Sequence, residues 1–172
     1  ESEERFRTLV GNIPGAVYRS EIQPPYRDLF ISEGIHAISG YHAREYIEPG
    51  GPICGELILP EDRERVEAIV NAAVAAQRPF QVRYRIRHRD GSLRWVSEQG
   101  RATYAPDGTP LYLEGVHIDV TAEMVAQQAL REQEERLRTI LENEPECVKL
   151  LDRDGNLLEM NPAGLAMIEA KD

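Results

Sequence analysis

The run Phe80-Gln81-Val82-Arg83-Tyr84-Arg85-Ile86-Arg87-His88-Arg89-Asp90-Gly91-Ser92-Leu93-Arg94-Trp95-Val96-Ser97-Glu98-Gln99 decides the fold. In its first half Phe80, Val82, Tyr84, Ile86 and His88 alternate with Gln81, Arg83, Arg85, Arg87 and Arg89. A period of two belongs to a strand with one apolar face, here backed by a basic one. Asp90-Gly91 supplies the positive φ of a tight hairpin, and Ser92 to Gln99 forms the returning strand. Loop length then sets the facing. A strict two-residue loop pairs Ile86 with Trp95 and puts the indole inside. A longer loop that pairs Ile86 with Val96 turns Trp95 out beside Arg87.

The chain around this hairpin has 172 residues, 41% of them hydrophobic, enough for one ordinary domain and part of another. Its net charge of -10 excludes a nucleic-acid groove, which needs basic surface to neutralise phosphates. Cys54 and Cys147 lie far apart and match neither metal spacing nor a disulfide framework, so a reducing cytoplasm is expected. No run approaches the roughly 20 apolar residues of a membrane span, so no direct membrane contact is expected of this stretch; a longer parent protein could be anchored elsewhere. No phosphate loop, HExxH motif or suggestive Ser-His-Asp context points to catalysis.

Upstream of the hairpin, Phe6, Leu9, Val10 and Ile13 recur at helical spacing, giving an N-terminal cap helix over 1–13 that Pro14-Gly15 ends. Short strands follow over 16–22 and 28–32, then helical turns over 35–39 and 43–47. Pro60 opens a longer helix, with Glu61 and Asp62 suited to its positive end. Downstream, Asp107-Gly108 turns the chain into a last strand over 111–120. Two strands, several helices and three antiparallel strands make an α+β domain over 14–120.

Residues 121–143 return to helical periodicity. Ala126, Leu130, Gln133, Leu137 and Ile140 trace a 4-3-4-3 seam that fits a short two-stranded coiled coil; a solvated connector with one apolar edge is the other reading. An internal repeat follows. Glu3 to Pro14 matches Glu134 to Pro145 at a constant offset of 131, with seven of twelve positions identical. Beyond it, strands at 148–151 and 157–160 and a helix starting at Asn161-Pro162 repeat the opening of the first domain. Residues 144–172 are thus expected to begin a second copy.

In order along the chain, Ser39-Gly40-Tyr41, Pro60-Glu61-Asp62-Arg63, the hairpin Tyr84 to Val96, and Gly115-Val116-His117-Ile118-Asp119-Val120-Thr121 resemble the PAS family in its bacterial form with a PAC segment. The resemblance covers 1–121, and 136–172 is similar to the family's N-terminal third. It implies a five-stranded antiparallel sheet in spatial order 2-1-5-4-3, with short helices enclosing a pocket on one face and helices flanking the domain at both ends. It implies a sensor or dimerisation module, a homodimer, joined in the same chain to a downstream effector such as a histidine kinase or diguanylate cyclase. The helix after Asp119 and Thr121 resembles the family's signalling helix, with Leu130 and Leu137 on its seam. The resemblance also favours the outward Trp95. On the stripe of Arg83, Arg85 and Arg87 it would be an exposed sticky patch, so an acidic helix, 1–12 or 121–143 of the same chain or a partner, is expected to pack there with Arg87 stacked near Trp95.

Flavin-binding members carry Asn-Cys-Arg before the long helix; here Cys54 stands in Pro52-Ile53-Cys54-Gly55-Glu56. They also place Asn where Ile86 and Val96 stand, so no photoactive flavin is expected. Haem-binding members often use a His on the long helix, and residues 60–77 contain none, so haem is not expected either. The expected pocket is mostly apolar: Val17, Leu29, Ile31, Ile35, Val70, Tyr84, Ile86 and Val96, with His117 as a polar donor. It suits a small organic ligand. A ligand-free dimerisation and relay module is the alternative. A small enzyme on the same frame would have to work with His117 and Glu98.

Overall fold

The structure, a computed structural model, describes Gly11 and residues 13–169. The N-terminal helix expected over 1–13 therefore lies almost wholly outside the described residues. Five antiparallel strands, β1 (Ala16–Glu21), β2 (Asp28–Ile31), β3 (Phe80–Arg87), β4 (Leu93–Tyr104) and β5 (Pro110–Asp119), form one sheet in the order β2-β1-β5-β4-β3. Between β2 and β3 run α1 (Ile35–Ser39), α2 (Ala43–Ile47), α3 (Cys54–Leu57) and α4 (Pro60–Ala75). The α+β class and strand order are those expected; the four-residue α3 is an addition, too short to leave a periodic signal.

Pro60 sits at the start of α4, where its missing N–H matters least, and Asp62, Val66, Val70 and Ala73 form its buried stripe. This stripe packs on the alternating inner face of β3, where Phe80, Val82, Tyr84 and Ile86 are buried. The outer edge of β3 is closed by side chains and by one loop amide. Asp62 accepts the Arg85 backbone N–H at 2.9 Å, Leu59 N–H donates to Arg85 C=O at 2.9 Å, and Arg65 donates to Arg83 C=O at 2.7 Å. These contacts occupy edge groups that would otherwise be open to another strand.

The hairpin loop has three residues. His88 N–H donates to Ser92 C=O, Gly91 N–H donates back to His88 C=O, and Gly91 takes φ 88°, which glycine adopts without a Cβ penalty. Tyr84 therefore faces Val96, Arg85 faces Trp95 and Ile86 faces Arg94. Ile86 pairs with neither Trp95 nor Val96. The parity is that of an outward Trp95, but its neighbour is Arg85 rather than Arg87: the Arg85 guanidinium lies 5.7 Å from the indole centroid. Asp62 holds the same guanidinium through both carboxylate oxygens, which fixes it over the ring.

The chain divides into two compact units at Ala122/Glu123. A helix, α5 (Thr121–Asn143), crosses that boundary, and the second unit also contains β6 (Lys149–Leu151), β7 (Leu157–Met160) and α6 (Pro162–Glu169). Strands β6 and β7 form a two-stranded antiparallel sheet. The two units share one local device. In the first, Val17 N–H donates to Ser32 Oγ at 2.9 Å while Ser32 N–H donates to Val17 C=O at 2.8 Å. In the second, Val148 N–H donates to Asn161 Oδ1 at 2.9 Å while Asn161 N–H donates to Val148 C=O at 3.1 Å. Val17 and Val148 stand at the 131-residue offset of the sequence repeat.

Candidate functional site

A cavity of about 80 Å³ opens between the inner face of the sheet and the helices. Each strand around it contributes by parity. On β1, Ala16, Tyr18 and Ser20 point inward and Val17 outward. On β5 the inward residues are Leu113, Gly115 and His117, and on β4 they are Val96, Glu98, Gly100 and Ala102. Val66 and Val70 of α4, with Cys54 of α3, close the opposite wall.

Glu98 is the centre of the cavity wall, only 8% exposed. Its Oε1 accepts the Tyr18 hydroxyl, its Oε2 accepts the Tyr84 hydroxyl at 2.8 Å, and His117 Nε2 lies 3.7 Å from Oε1. The His117 ring stacks on Tyr18 with centroids 4.4 Å apart. Burial pushes the Glu98 carboxyl up, but His117 and the two phenols together outweigh it and hold it below the usual carboxylate range. The phenols answer in kind: burial first, then the Glu98 charge, pushes Tyr18 and Tyr84 well above the ordinary tyrosine value.

Asp28, across from Ser20 on β2, is the second buried acid of the cavity. Its Oδ2 is buried and has no hydrogen-bond partner in the protein. Burial pushes its carboxyl up to about 6, against the lowering influence of the Cys54 thiol and His117. The thiol itself is pushed up, by burial and then by Asp28, and so is no activated nucleophile. Among the described residues no group of three or more His, Cys, Asp or Glu is placed to hold a metal ion. The arrangement can orient a small molecule by hydrogen bonds and can hold or release a proton at Asp28.

That proton gives a pH signature. Asp28 ionises near 3.8 unfolded and near 6 folded, so the native state binds the proton more tightly. Its contribution to stability is greatest below about pH 4, falls as pH rises, and levels off above about pH 6, a loss of about 3 kcal/mol. Asp28→Asn removes this dependence. Its stability relative to the wild type is expected to climb between pH 4 and 6.5 in urea unfolding series; a flat difference would contradict a buried carboxyl whose Oδ2 has no partner.

Of the residues expected in the pocket, Val70, Tyr84 and His117 line the cavity. Ile35, Ile86 and Val96 line a narrow void of about 10 Å³ beside it, which shares Tyr84, His117 and Cys54. Ile31 is buried in the core without lining either. Val17 and Leu29 are corrections. Val17 has outward parity on β1, and Leu29 is 46% exposed because the register shift between Arg19 and Ser20 leaves it as the extra residue between Asp28 and the outward Phe30. The wall is mostly apolar in area, as expected, but it carries more polar groups than His117 and Tyr84: Tyr18, Ser20, Asp28 and Glu98 also reach it. The usable signal was parity, since Glu98 stands two residues from buried Val96 and Tyr18 two from buried Ala16.

At the end of the sheet, Trp95 N–H donates to Thr121 Oγ1 at 2.9 Å and Val120 N–H donates to Trp95 C=O at 2.9 Å. Asp119 accepts the Thr121 N–H at 2.8 Å, and Arg94 lies 3.9 Å from the same carboxylate. Trp95, Asp119 and Thr121 thus meet where β4, β5 and the first turn of α5 join. Arg87 is exposed and takes no part. Leu130 and Leu137 are exposed along α5.

The PAS fold family model matches residues 28–117. The chain is similar to the "Probable diguanylate cyclase DgcE" of Escherichia coli (strain K12), 28% identical over 127 residues that cover 74% of this chain and 11% of that protein. It is similar to the sensor protein FixL of Bradyrhizobium diazoefficiens, 29% identical over 96 residues covering 56% of this chain and 19% of that protein. A sensory box histidine kinase/response regulator from Burkholderia thailandensis E264 superposes with TM-score 0.63 at 30% identity, covering 78% of this chain and 98% of that one. The chain spans less than a fifth of the length of these two curated relatives. Strand order, a cavity on the inner face of the sheet and a family match over more than half of the sequence agree: this chain belongs to the PAS family.

Proposed function

We propose that residues 14–120 form the sensory domain of a multidomain cytoplasmic signalling protein, which binds a small organic ligand in the Glu98 cavity. Residues 121–143 carry the bound state, as a signalling helix paired in a homodimer, to a downstream effector in the same chain, a histidine kinase or a diguanylate cyclase. Residues 144–172 begin a second PAS copy, in line with the reciprocal Val148–Asn161 bonding that repeats Val17–Ser32. The chain itself performs no catalysis in this reading.

One observation carries it. Glu98, in the cavity wall, and Trp95, bonded to Thr121 at the start of α5, stand three residues apart on the same strand. His117 and Asp119 repeat that link on β5. A ligand that draws Glu98 or His117 shifts two strands whose ends hold the first turn of the helix. This is a differential interaction that biases a two-state element. The exposed apolar residues Leu130 and Leu137 give the helix a face for a second copy.

Native mass spectrometry of protein purified without added ligand tests both parts. The expected spectrum is a dimer carrying a non-covalent adduct on the order of 100 Da, the size that half a dozen heavy atoms give. A bare dimer would replace the sensor by a ligand-free relay module. A bare monomer at high concentration would overturn both.

A further inference from the structure

The cavity wall is not electrically neutral, and its unpaired group is an acceptor. Three carboxylates line it: Asp28, Glu98 and, toward the mouth, Glu67. Against them stand His117 and Arg63, and the Arg63 guanidinium already donates to Ile58 C=O and Glu56 C=O, both at 2.9 Å. The two oxygens of Glu98 are taken by Tyr18 and Tyr84. Asp28 differs: it is 8% exposed, it lines the cavity, and its Oδ2 has no partner. An unpaired buried carboxylate oxygen is costly to keep, so a donor delivered to it returns more than one delivered to a satisfied group.

We propose that the ligand is a small organic cation, an alkylammonium or amidinium, that donates to Asp28 Oδ2. Its short apolar body lies against Val66, Val70 and Leu113. The inference rests on the reading of this cavity as a ligand site and narrows it to one charge class. A cationic donor forms the stronger, charge-assisted hydrogen bond to a carboxylate. An anion would meet two buried acids and be repelled. Size follows from the cavity: at 10–15 Å³ per water, about 80 Å³ admits roughly six heavy atoms.

The probes are n-butylammonium, n-butanol and butyrate, near-equal in shape and different in charge. Each is titrated at matched ionic strength into ¹⁵N-labelled protein, following the backbone amides of Ser20, Asp28, Glu98 and His117. Butylammonium is expected to give saturable shifts at these amides with a Kd at least tenfold below that of butanol, and butyrate none. Asp28→Asn is expected to erase that tenfold preference while leaving butanol binding in place. Butanol or butyrate binding as tightly as butylammonium would overturn the cation while keeping the cavity as a ligand site. Silence from all three would overturn the cation and count against the ligand site as well. Undiminished butylammonium binding to Asp28→Asn would place the cation on the acidic surface and overturn the assignment. Should that variant fail to fold, the ranking of the three probes on the wild-type protein decides alone.

Discussion

Replacing Glu98 by alanine is expected to lower the unfolding free energy by about 3 kcal/mol, because two buried phenols lose their acceptor at once. Tyr18 and Tyr84 are each below 5% exposed, so only water ordered inside the cavity can replace the acceptor, and a neutral water replaces a charge-assisted bond only in part. His117, 3.7 Å away, loses the one carboxylate it faces at that range. Glu98→Gln separates charge from hydrogen bonding. Its carbonyl oxygen still accepts one phenol, and about half of the loss is expected. A second readout follows from the tyrosines: without the Glu98 charge, burial and the weaker influence of Cys54, with Asp28 for Tyr18, still hold them up, but their spectrophotometric titration moves to lower pH. Urea unfolding of Glu98→Ala within 1 kcal/mol of the wild type would mean that the network is ornamental to the fold.

The same network shows where sequence reasoning succeeded and where it stopped. Alternation along Phe80 to Ile86 fixes which side chains enter the core, because a strand offers only two faces. It does not fix partners. Those depend on the loop, and the three residues Arg89 to Gly91 made Arg85, not Arg87, the neighbour of Trp95. Leu29 shows the limit of hydrophobicity as a guide: one register shift in the β1–β2 pair put a leucine in solvent and an aspartate inside. Glu98 and Asp28 were hard to place because a buried acid is the exception, stabilised by partners that lie 14 to 80 positions away in the case of Glu98. The repeat was legible because identity at a fixed offset needs no three-dimensional information.

Gly115→Ala is expected to be about as damaging as loss of Glu98, for a reason that has nothing to do with charge. Gly115 and Gly100 face each other across β5 and β4, and Tyr18 is the β1 neighbour of Gly115. A Cβ on Gly115 would stand 2.3 Å from Gln99 O and 2.8 Å from Gly100 Cα, both backbone atoms of the neighbouring strand β4. Neither can move without opening the β4–β5 ladder, so about 3 kcal/mol or more is expected, read as a lower midpoint in urea. Gly100→Ala meets a different obstacle. Its Cβ would come 2.7 Å from Phe80 Cζ and 2.9 Å from the Tyr18 hydroxyl, both ends of side chains, and 3.0 Å from Glu114 O. Side-chain ends can yield, so the stability loss there is expected to be about 1 kcal/mol. The displaced group, however, is the hydroxyl that Glu98 holds. Gly100→Ala is therefore the variant that leaves the sheet standing and disturbs the cavity wall, seen as a change in Tyr18 titration larger than its small stability loss would suggest. Equal stability losses in the two variants would show that the glycine pair serves only the close approach of the strands, and that Tyr18 reaches Glu98 without it.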